Sequence, residues 1–506
     1  MTTAGQSPQP SSEPPVAPLH LGYVGVRRLL HLLIVFALFA TRGSLARRSW
    51  FGRHAVATTA RRQWEGERLR NILVALGPTF IKIGQMLATR LDLLPVEYLQ
   101  ALASLQDAVP PFPVDEARAI IAEELGASPD TLFARFNPIP VAAASLGQVY
   151  RARLATGQAV AVKVQRPGLV AQIAVDVAVL HYLARGLARW SMLLRGVDWQ
   201  GMLEEFHATV LIELDYEQEA LHAERFRRHF ARWPDVYVPR IYHQLSTRRV
   251  LVMDYVTGFK VTETSQLAAA GLNPHKLVKR LVRTYLKQLL EDGFFHADPH
   301  PGNLRVMLDG RLAFFDFGMV GQLPQALQAR LLEAFLHLVA RDVPGLVEDL
   351  GHLGLLTCAP EEARHVTPII EALIERYLHR HLGDIPLKAL LFELAPVLMA
   401  LPVRIPAHFT CILRALLTLE GIGQLVDRRF NLFTVARPYA IRYTFLREGR
   451  YWGSLILTRL LSGEAGSIEW EKLEKLWKLA KLAFTHVLHG EPTRETAESN
   501  TGGRHG

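Results

Sequence analysis

The residues best able to do chemistry together lie between Val141 and Gly321. In Gly293–Gly321 (GFFHADPHPGNLRVMLDGRLAFFDFGMVG), His296-Ala-Asp298 precedes Asn303, and Asp316-Phe317-Gly318 follows. A carboxylate and an amide at D-x-x-x-x-N spacing suit phosphoryl transfer: the first orients or deprotonates a hydroxyl or water, the second ligates Mg²⁺. Residues 303–308 read as a strand, Asp309-Gly310 as a hairpin turn and Leu312–Phe315 as the return strand. Such a hairpin brings Asn303 and Asp316 together, so both can hold Mg²⁺, with water and phosphate completing the octahedron. A lone Asp-Phe-Gly occurs by chance; the spaced set, preceded by a strand lysine, rarely does.

That lysine is Lys163 in Val-Ala-Val-Lys, within an alternating, β-branched run over 158–164. Upstream, VAAASLGQVYRARL reads as strand, tight turn and strand. A phosphate-covering G-x-G-x-x-G-x-V loop aligned on Val149 would put glycines at 142, 144 and 147; the chain has Ala142, Ala144 and Gly147, with Ala143 and Ser145 between. Alanine resists the positive φ and close phosphate approach that glycine allows. Lys163 needs a carboxylate, and residues 202–226, read as one helix, offer Asp215 and Glu219 on one face with His222. A solvated acidic face would explain these residues equally well unless Glu219 partners Lys163.

Other elements position this set. Val250-Leu-Val-Met-Asp254-Tyr255, then Gly258, reads as a buried strand entering a linker whose backbone could bond adenine. Between Phe317 and Leu356 there is no Ser, Thr or Tyr, and 324–340 reads as a helix, so no phosphorylated loop or peptide platform is expected. The Ala359-Pro360-Glu361 triplet suits a helix start. Before the lysine strand, Leu76, Phe80, Ile83 and Leu87 form an apolar stripe opposite Lys82, Gln85 and Thr89. Gly84 costs a helix about 1 kcal/mol relative to Ala, which implies close approach to another surface. Lys82 could then reach Glu213 or Asp215.

The 506 residues allow two to four structural units. With 49% hydrophobic and 21% charged residues, collagen-like, coiled-coil and wholly disordered chains are excluded. Cys358 and Cys411, far apart, exclude a disulfide scaffold and a cysteine zinc site and suit a reducing compartment. The net charge of +9 is dispersed and not interleaved with aromatics in one patch, so no nucleic-acid partner is expected. Mean hydropathy, +0.12, raises a membrane question. The Leu29–Ala40 apolar run is too short to span a bilayer, which needs about 20 residues; it reads as a helix on a membrane surface or docked on the protein. Residues 470–488 (WEKLEKLWKLAKLAFTHVL) read as a basic amphipathic helix, suited to an anionic membrane or to packing on the domain. No run of 18 apolar residues occurs.

Taken in order, Lys82-Ile-Gly84-Gln85, Ala142-Ala-Ala-Ser145, Val-Ala-Val-Lys163, Glu213-Leu-Asp215 with Glu219-Ala220, His296-Ala-Asp298-Pro-His-Pro-Gly-Asn303 and Asp316-Phe-Gly318 resemble the UbiB-like, aarF-domain-containing atypical kinases over about residues 65–345. The resemblance implies an α+β, bilobed protein-kinase-like fold with a small β-rich N-lobe, a helical C-lobe, and a K-x-G-Q helix covering the place where a peptide would bind. It implies that Lys82 pairs with the Glu213/Asp215 element and Lys163 with Glu219 and the α/β-phosphates. It also implies Mg²⁺ with ATP or ADP, ATPase activity, and support of isoprenoid-quinone synthesis or lipid handling at membranes. His222 stands where relatives often have Asn, and this chain ends in the basic segment where many relatives have transmembrane helices.

The expected organisation is a disordered 1–19, a basic apolar helix over 20–64, the K-x-G-Q extension over 65–140, an N-lobe over 141–258, a C-lobe over 259–437, a helical extension over 438–488 and a flexible 489–506. The expected role is a Mg-dependent ATPase with a small-molecule or lipid acceptor, cytoplasmic and peripherally attached to membrane, with Asp298, Lys163 and Glu219 catalytic. The Ala-rich loop, Gly147, Val149, Asp254 and Tyr255 would line the nucleotide. The alternatives are a nucleotide-gated lipid- or quinone-binding protein without essential turnover, and a protein kinase.

Overall fold

The structure, a computed structural model, describes residues 22–49, 55–88, 94–106, 111–189, 199–340, 342–355, 368 and 407–444. The expectations for 1–19, Thr89, 359–361 and 470–506 lie outside these residues. The helices are α1 (Tyr23–Ser49), α2 (Ala55–Leu76), α3 (Pro78–Leu87), α4 (Val96–Ala103), α5 (Val114–Leu125), α6 (Pro129–Leu132), α7 (Leu169–Arg189), α8 (Trp199–Glu213), α9 (Tyr216–His229), α10 (Thr264–Ala269), α11 (Pro274–Lys287), α12 (Gln325–Ala340), α13 (Val343–His352) and α14 (Ala407–Val426). The strands are β1 (Arg135–Phe136), β2 (Ala142–Ala143), β3 (Gly147–Arg153), β4 (Ala159–Gln165), β5 (Val236–Tyr237), β6 (Val250–Asp254), β7 (Phe294–His296), β8 (Leu304–Val306), β9 (Leu312–Phe314) and β10 (Val320–Gln322). The chain divides into two compact units, Met1–Arg225 with Pro239–Tyr255, and Phe226–Val238 with Val256–Gly506.

The first unit is built on an antiparallel sheet ordered β1-β3-β4-β6, with β2 pairing β3. The period of two in β3 and β4 decides its faces. Tyr150, Ala152, Val160, Val162 and Val164 enter a core with Ile120 and Ile121 of α5, while Val149, Arg151, Ala161 and Lys163 alternate to the other face. Gly126, at φ 73°, ends α5 in the left-handed conformation. A second core joins Leu32, Leu73, Phe80, Leu102 and Val179 from five helices. The apolar run of α1 therefore docks on the protein by one face. Arg28 clamps it, donating Nε to Asp176 Oδ1 (2.6 Å) and Nη2 to Leu76 O (2.7 Å), while Thr79 donates to Asp176 Oδ2 (2.6 Å). Tyr23, Val24, Leu30 and Ile34 of α1 remain exposed. Gly84 meets the expectation of close approach: a Cβ there would stand 2.8 Å from Leu73 Cδ1 and collide with Leu105 Cδ1.

The single helix expected over 202–226 is a correction. The chain forms α8 and α9 with a break at Leu214-Asp215. Asp215 Oδ1 accepts from Glu217 N (3.0 Å), the local bond by which Asp starts a helix. The break is also held from outside: Gln165 Nε2 donates to Leu214 O (2.8 Å) and Tyr216 N to Arg248 O (3.1 Å). Asp215 therefore precedes the helix that carries Glu219.

In the second unit β8 and β9 form the expected hairpin, Leu304 opposite Phe314, and β5 runs parallel to β9. β10 pairs antiparallel with β7, and α12 begins three residues later, so only residues 319–324 lie between Asp316-Phe-Gly and that helix. Among the described residues, Phe409–Val426 of α14 is long and apolar enough to cross a membrane by length and composition. It carries Arg414 and Glu420, buries Ile412, Ala415, Leu419 and Ile422 on one face and packs on α11, while Leu425 is exposed.

Candidate active site

In the first unit, Lys163 is delivered by β4 directly opposite Val149 of β3. Its Nζ donates to Glu219 Oε2 (2.7 Å) and Oε1 (2.9 Å) and lies 5.0 Å from the Tyr216 ring centre. Glu219 is only 3% exposed and the Lys163 side chain 17%. Burying the carboxylate raises the cost of leaving it unpaired and fixes the ammonium to one place. Ala142 and Ala143 pair with Val149 and Gln148, and Ala144 N donates to Gly147 O (2.8 Å), closing a tight turn around Ser145. Gly147 has a packing reason to be glycine: a Cβ would lie 2.5 Å from both the Tyr216 hydroxyl and Val164 O.

Lys82 of α3 forms an ion pair with Glu213 at the end of α8. Asp215 faces Arg248 instead (3.3 Å), and Gln85 Nε2 donates to Leu105 O (3.3 Å). The backbone expectation for Asp254 and Tyr255 narrows. Their amides already donate to Arg240 O and Ala159 O (both 3.0 Å), so neither amide is the group that would bond a base. The Asp254 carboxylate accepts from Tyr242 Oη (2.9 Å) and Arg240 N (2.9 Å).

In the second unit the loop after β7 is ordered through His296, which is 1% exposed. Asp298 N donates to its Nδ1 (3.1 Å), and its Nε2 donates to Asp316 O (2.5 Å). The ring is thus held as the neutral Nε2–H tautomer, and burial keeps its pKa below the ordinary histidine value despite Asp298 and Asp316 nearby. One imidazole therefore ties the Asp298 loop to the Asp316 segment. Asn303 Nδ2 donates to Asp298 O (3.1 Å), so of its amide atoms the oxygen is the one that could ligate a cation. The hairpin brings Phe315 N to Asn303 O (3.4 Å), so Asn303 and Asp316 sit at the same end of it. Phe317 is fully buried, its ring 5.1 Å from Phe226. An amide oxygen and a carboxylate are hard donors of the kind Mg²⁺ takes while keeping several waters. The described residues contain no cluster of three His, Cys, Asp or Glu side chains suited to a metal.

Sequence reasoning gave no role to two residues that hold this loop. Gln288, in a π-helical turn over Gln288–Asp292, accepts from His296 N (2.9 Å). Arg414 of α14 donates Nη2 to Ala297 O (2.9 Å). No local pattern links either to the motif; only their position in the fold does.

Family models match two stretches, the ABC1 atypical kinase-like domain over 104–350 and the UbiB helical domain over 370–431. The Synechocystis protein sll0005, described as uncharacterized, is 40% identical over 83% of this chain and 62% of its own length. The Arabidopsis thaliana protein ACTIVITY OF BC1 COMPLEX KINASE 3, chloroplastic, is 40% identical over 81% of this chain and 57% of its own. The chain thus spans about three fifths of the length of these curated relatives. A solved structure from Mycobacterium tuberculosis, described as the complex of Rv3197 with erythromycin, aligns at a TM-score of 0.47 with 24% identity, covering 68% of this chain and 88% of that one. With its lysine strand, catalytic-type loop and Asp-Phe-Gly hairpin within the matched span, the chain belongs to the ABC1 atypical kinase-like family and has that family's mixed α+β kinase-like domain.

Proposed function

We propose that this protein is a Mg²⁺-dependent, kinase-fold ATPase that supports isoprenoid-quinone synthesis or lipid handling at a membrane. Its acceptor would be water, a small molecule or a lipid. The observation that carries the reading is the bidentate Lys163–Glu219 ion pair, the arrangement in which a strand lysine can hold α/β-phosphates. Asn303 and Asp316 would hold the metal, which when bound neutralises charge on the transferred phosphoryl group. Lys163 fixes the phosphates from the protein side, and Asp298, its loop tied by His296 and Asn303, orients the attacking oxygen. Charge fixed in advance in this way supplies most of the catalysis in phosphoryl transfer. The early turn into β10 and α12 supports a non-peptide acceptor. The exposed apolar residues of α1 favour a peripheral membrane contact.

The test is ATP hydrolysis with and without anionic liposomes and quinone-like phenols. Magnesium-dependent turnover stimulated by either is expected, with none in Asp316→Asn. Undiminished hydrolysis in that variant refutes the metal assignment. Nucleotide-dependent lipid extraction by the same inactive variant would replace the ATPase with a nucleotide-gated binding protein.

A further inference from the structure

On the sheet face that carries Lys163, the strands β1 and β3 bring three arginines together. Register places Arg135 directly opposite Arg153, and Arg151 lies two residues along β3 on the same face. Like charges directly opposite across two strands destabilise a sheet. Among the described residues none of the three has a carboxylate partner, whereas Arg118, Arg248 and Arg249 of the same unit each face one. What orients them is uncharged: Arg151 stacks 4.8 Å above the Tyr255 ring, and Arg153 Nη1 donates to Gly157 O (3.3 Å). Ala159 and Ala161, opposite Arg153 and Arg151, are small and leave a hollow of about 200 Å³ lined by Arg135, Asn137, Arg151, Ala152, Arg153 and Ala159. Asn137 Oδ1 accepts from Ile139 N (3.1 Å), which leaves its amide donor for the rim.

We propose that Arg135, Arg151 and Arg153 form a binding site for a phosphomonoester-type dianion. The site adjoins Tyr255, which would line the nucleotide, but its phosphate position is separate from the one assigned to Lys163, because Ala159 lies four residues from Lys163 along β4, about 13 Å at the rise of a strand. Two forked guanidinium groups from directly opposite strand positions lining one hollow can match the oxygens of a phosphate in a way that ammonium groups would not. The dianion also supplies the counter-charge that the Arg135–Arg153 pair lacks, so the cost in sheet stability is recovered on binding.

The experiment is calorimetric titration of the full chain with inorganic phosphate against chloride at matched ionic strength, in the parent, Arg135→Gln/Arg153→Gln, and Lys163→Met. Saturable phosphate binding is expected in the parent and in Lys163→Met. In the double arginine variant affinity should fall at least tenfold, while its thermal midpoint without phosphate equals or exceeds the parent's. Sedimentation with phosphatidylcholine vesicles containing phosphatidic acid identifies the source. Retention competed by free phosphate marks a lipid headgroup, whereas phosphate binding without retention marks a soluble ester. The proposal is overturned if phosphate gives no more heat than chloride, if the double arginine variant binds it like the parent, or if binding disappears only in Lys163→Met.

Discussion

The Lys163–Glu219 pair permits a separation of stability from chemistry. Glu219 is 3% exposed and Lys163 17%, so the two single substitutions should differ. Lys163→Met strands a nearly fully buried carboxylate, and breaking a buried pair from one side costs about 3–5 kcal/mol. Glu219→Gln leaves an ammonium that retains some water and the Tyr216 ring at 5.0 Å, so the cost should fall below that range, at roughly 1–3 kcal/mol. Lys163→Met/Glu219→Leu removes both charges and fills a similar volume, and such replacements are often near neutral. Urea unfolding of the full chain should therefore give a double variant within about 1 kcal/mol of the parent, far from the sum of the singles. In thermal midpoint Lys163→Met should lose on the order of 10 °C, at about 2–4 °C per kcal/mol for a unit of this size. ATP hydrolysis should be absent in all three, the stable double variant included. Additive losses would show that the ion pair does not form in solution, and turnover in the double variant would sink its role in binding phosphate.

Arg414→Ala should lower kcat about 10–100-fold with KM unchanged, because a charged hydrogen bond worth about 1.5–3 kcal/mol holds the Ala297 carbonyl beside Asp298; Arg414→Lys should recover part, and an equal rise in KM would contradict a positioning role. Gly84→Ala forces a methyl against Leu73 and Leu105, both nearly fully buried. Overpacking of about 1–3 kcal/mol should outweigh the gain in helix propensity of about 1 kcal/mol, so a raised thermal midpoint would show that the helices are not this close. His207 of α8 has its pKa lowered by burial and then by His181, 6.1 Å away between ring centres. The unfolded chain therefore binds its proton more readily, and stability is complete above pH ~6.5 and falls on acidification. His207→Asn should flatten that fall, and an unchanged pH profile would assign it elsewhere.

The amino-acid order alone determined the elements whose information is local. Alternation in 158–164 set a strand with Lys163 on one face, Asp309-Gly310 set the hairpin, and the spacing of Asp298, Asn303 and Asp316 marked the loop proposed here for phosphoryl transfer, because period and turn chemistry act over a few residues. The same local rules misread 202–226, where helical periodicity continues through Asp215; the break depends on Gln165 and Arg248, which are distant in sequence. They also left open whether Lys82 meets Glu213 or Asp215, because a helix pattern does not say where its neighbour ends. Only tertiary structure decided that Gly147 is glycine to admit Tyr216, that a neutral His296 ties two motifs together, and that Arg414 from a separate helical segment holds the loop between them. The reason is physical: a hydrogen bond or a close approach depends on distance in space, and chain spacing reports that distance only within one element or one tight turn.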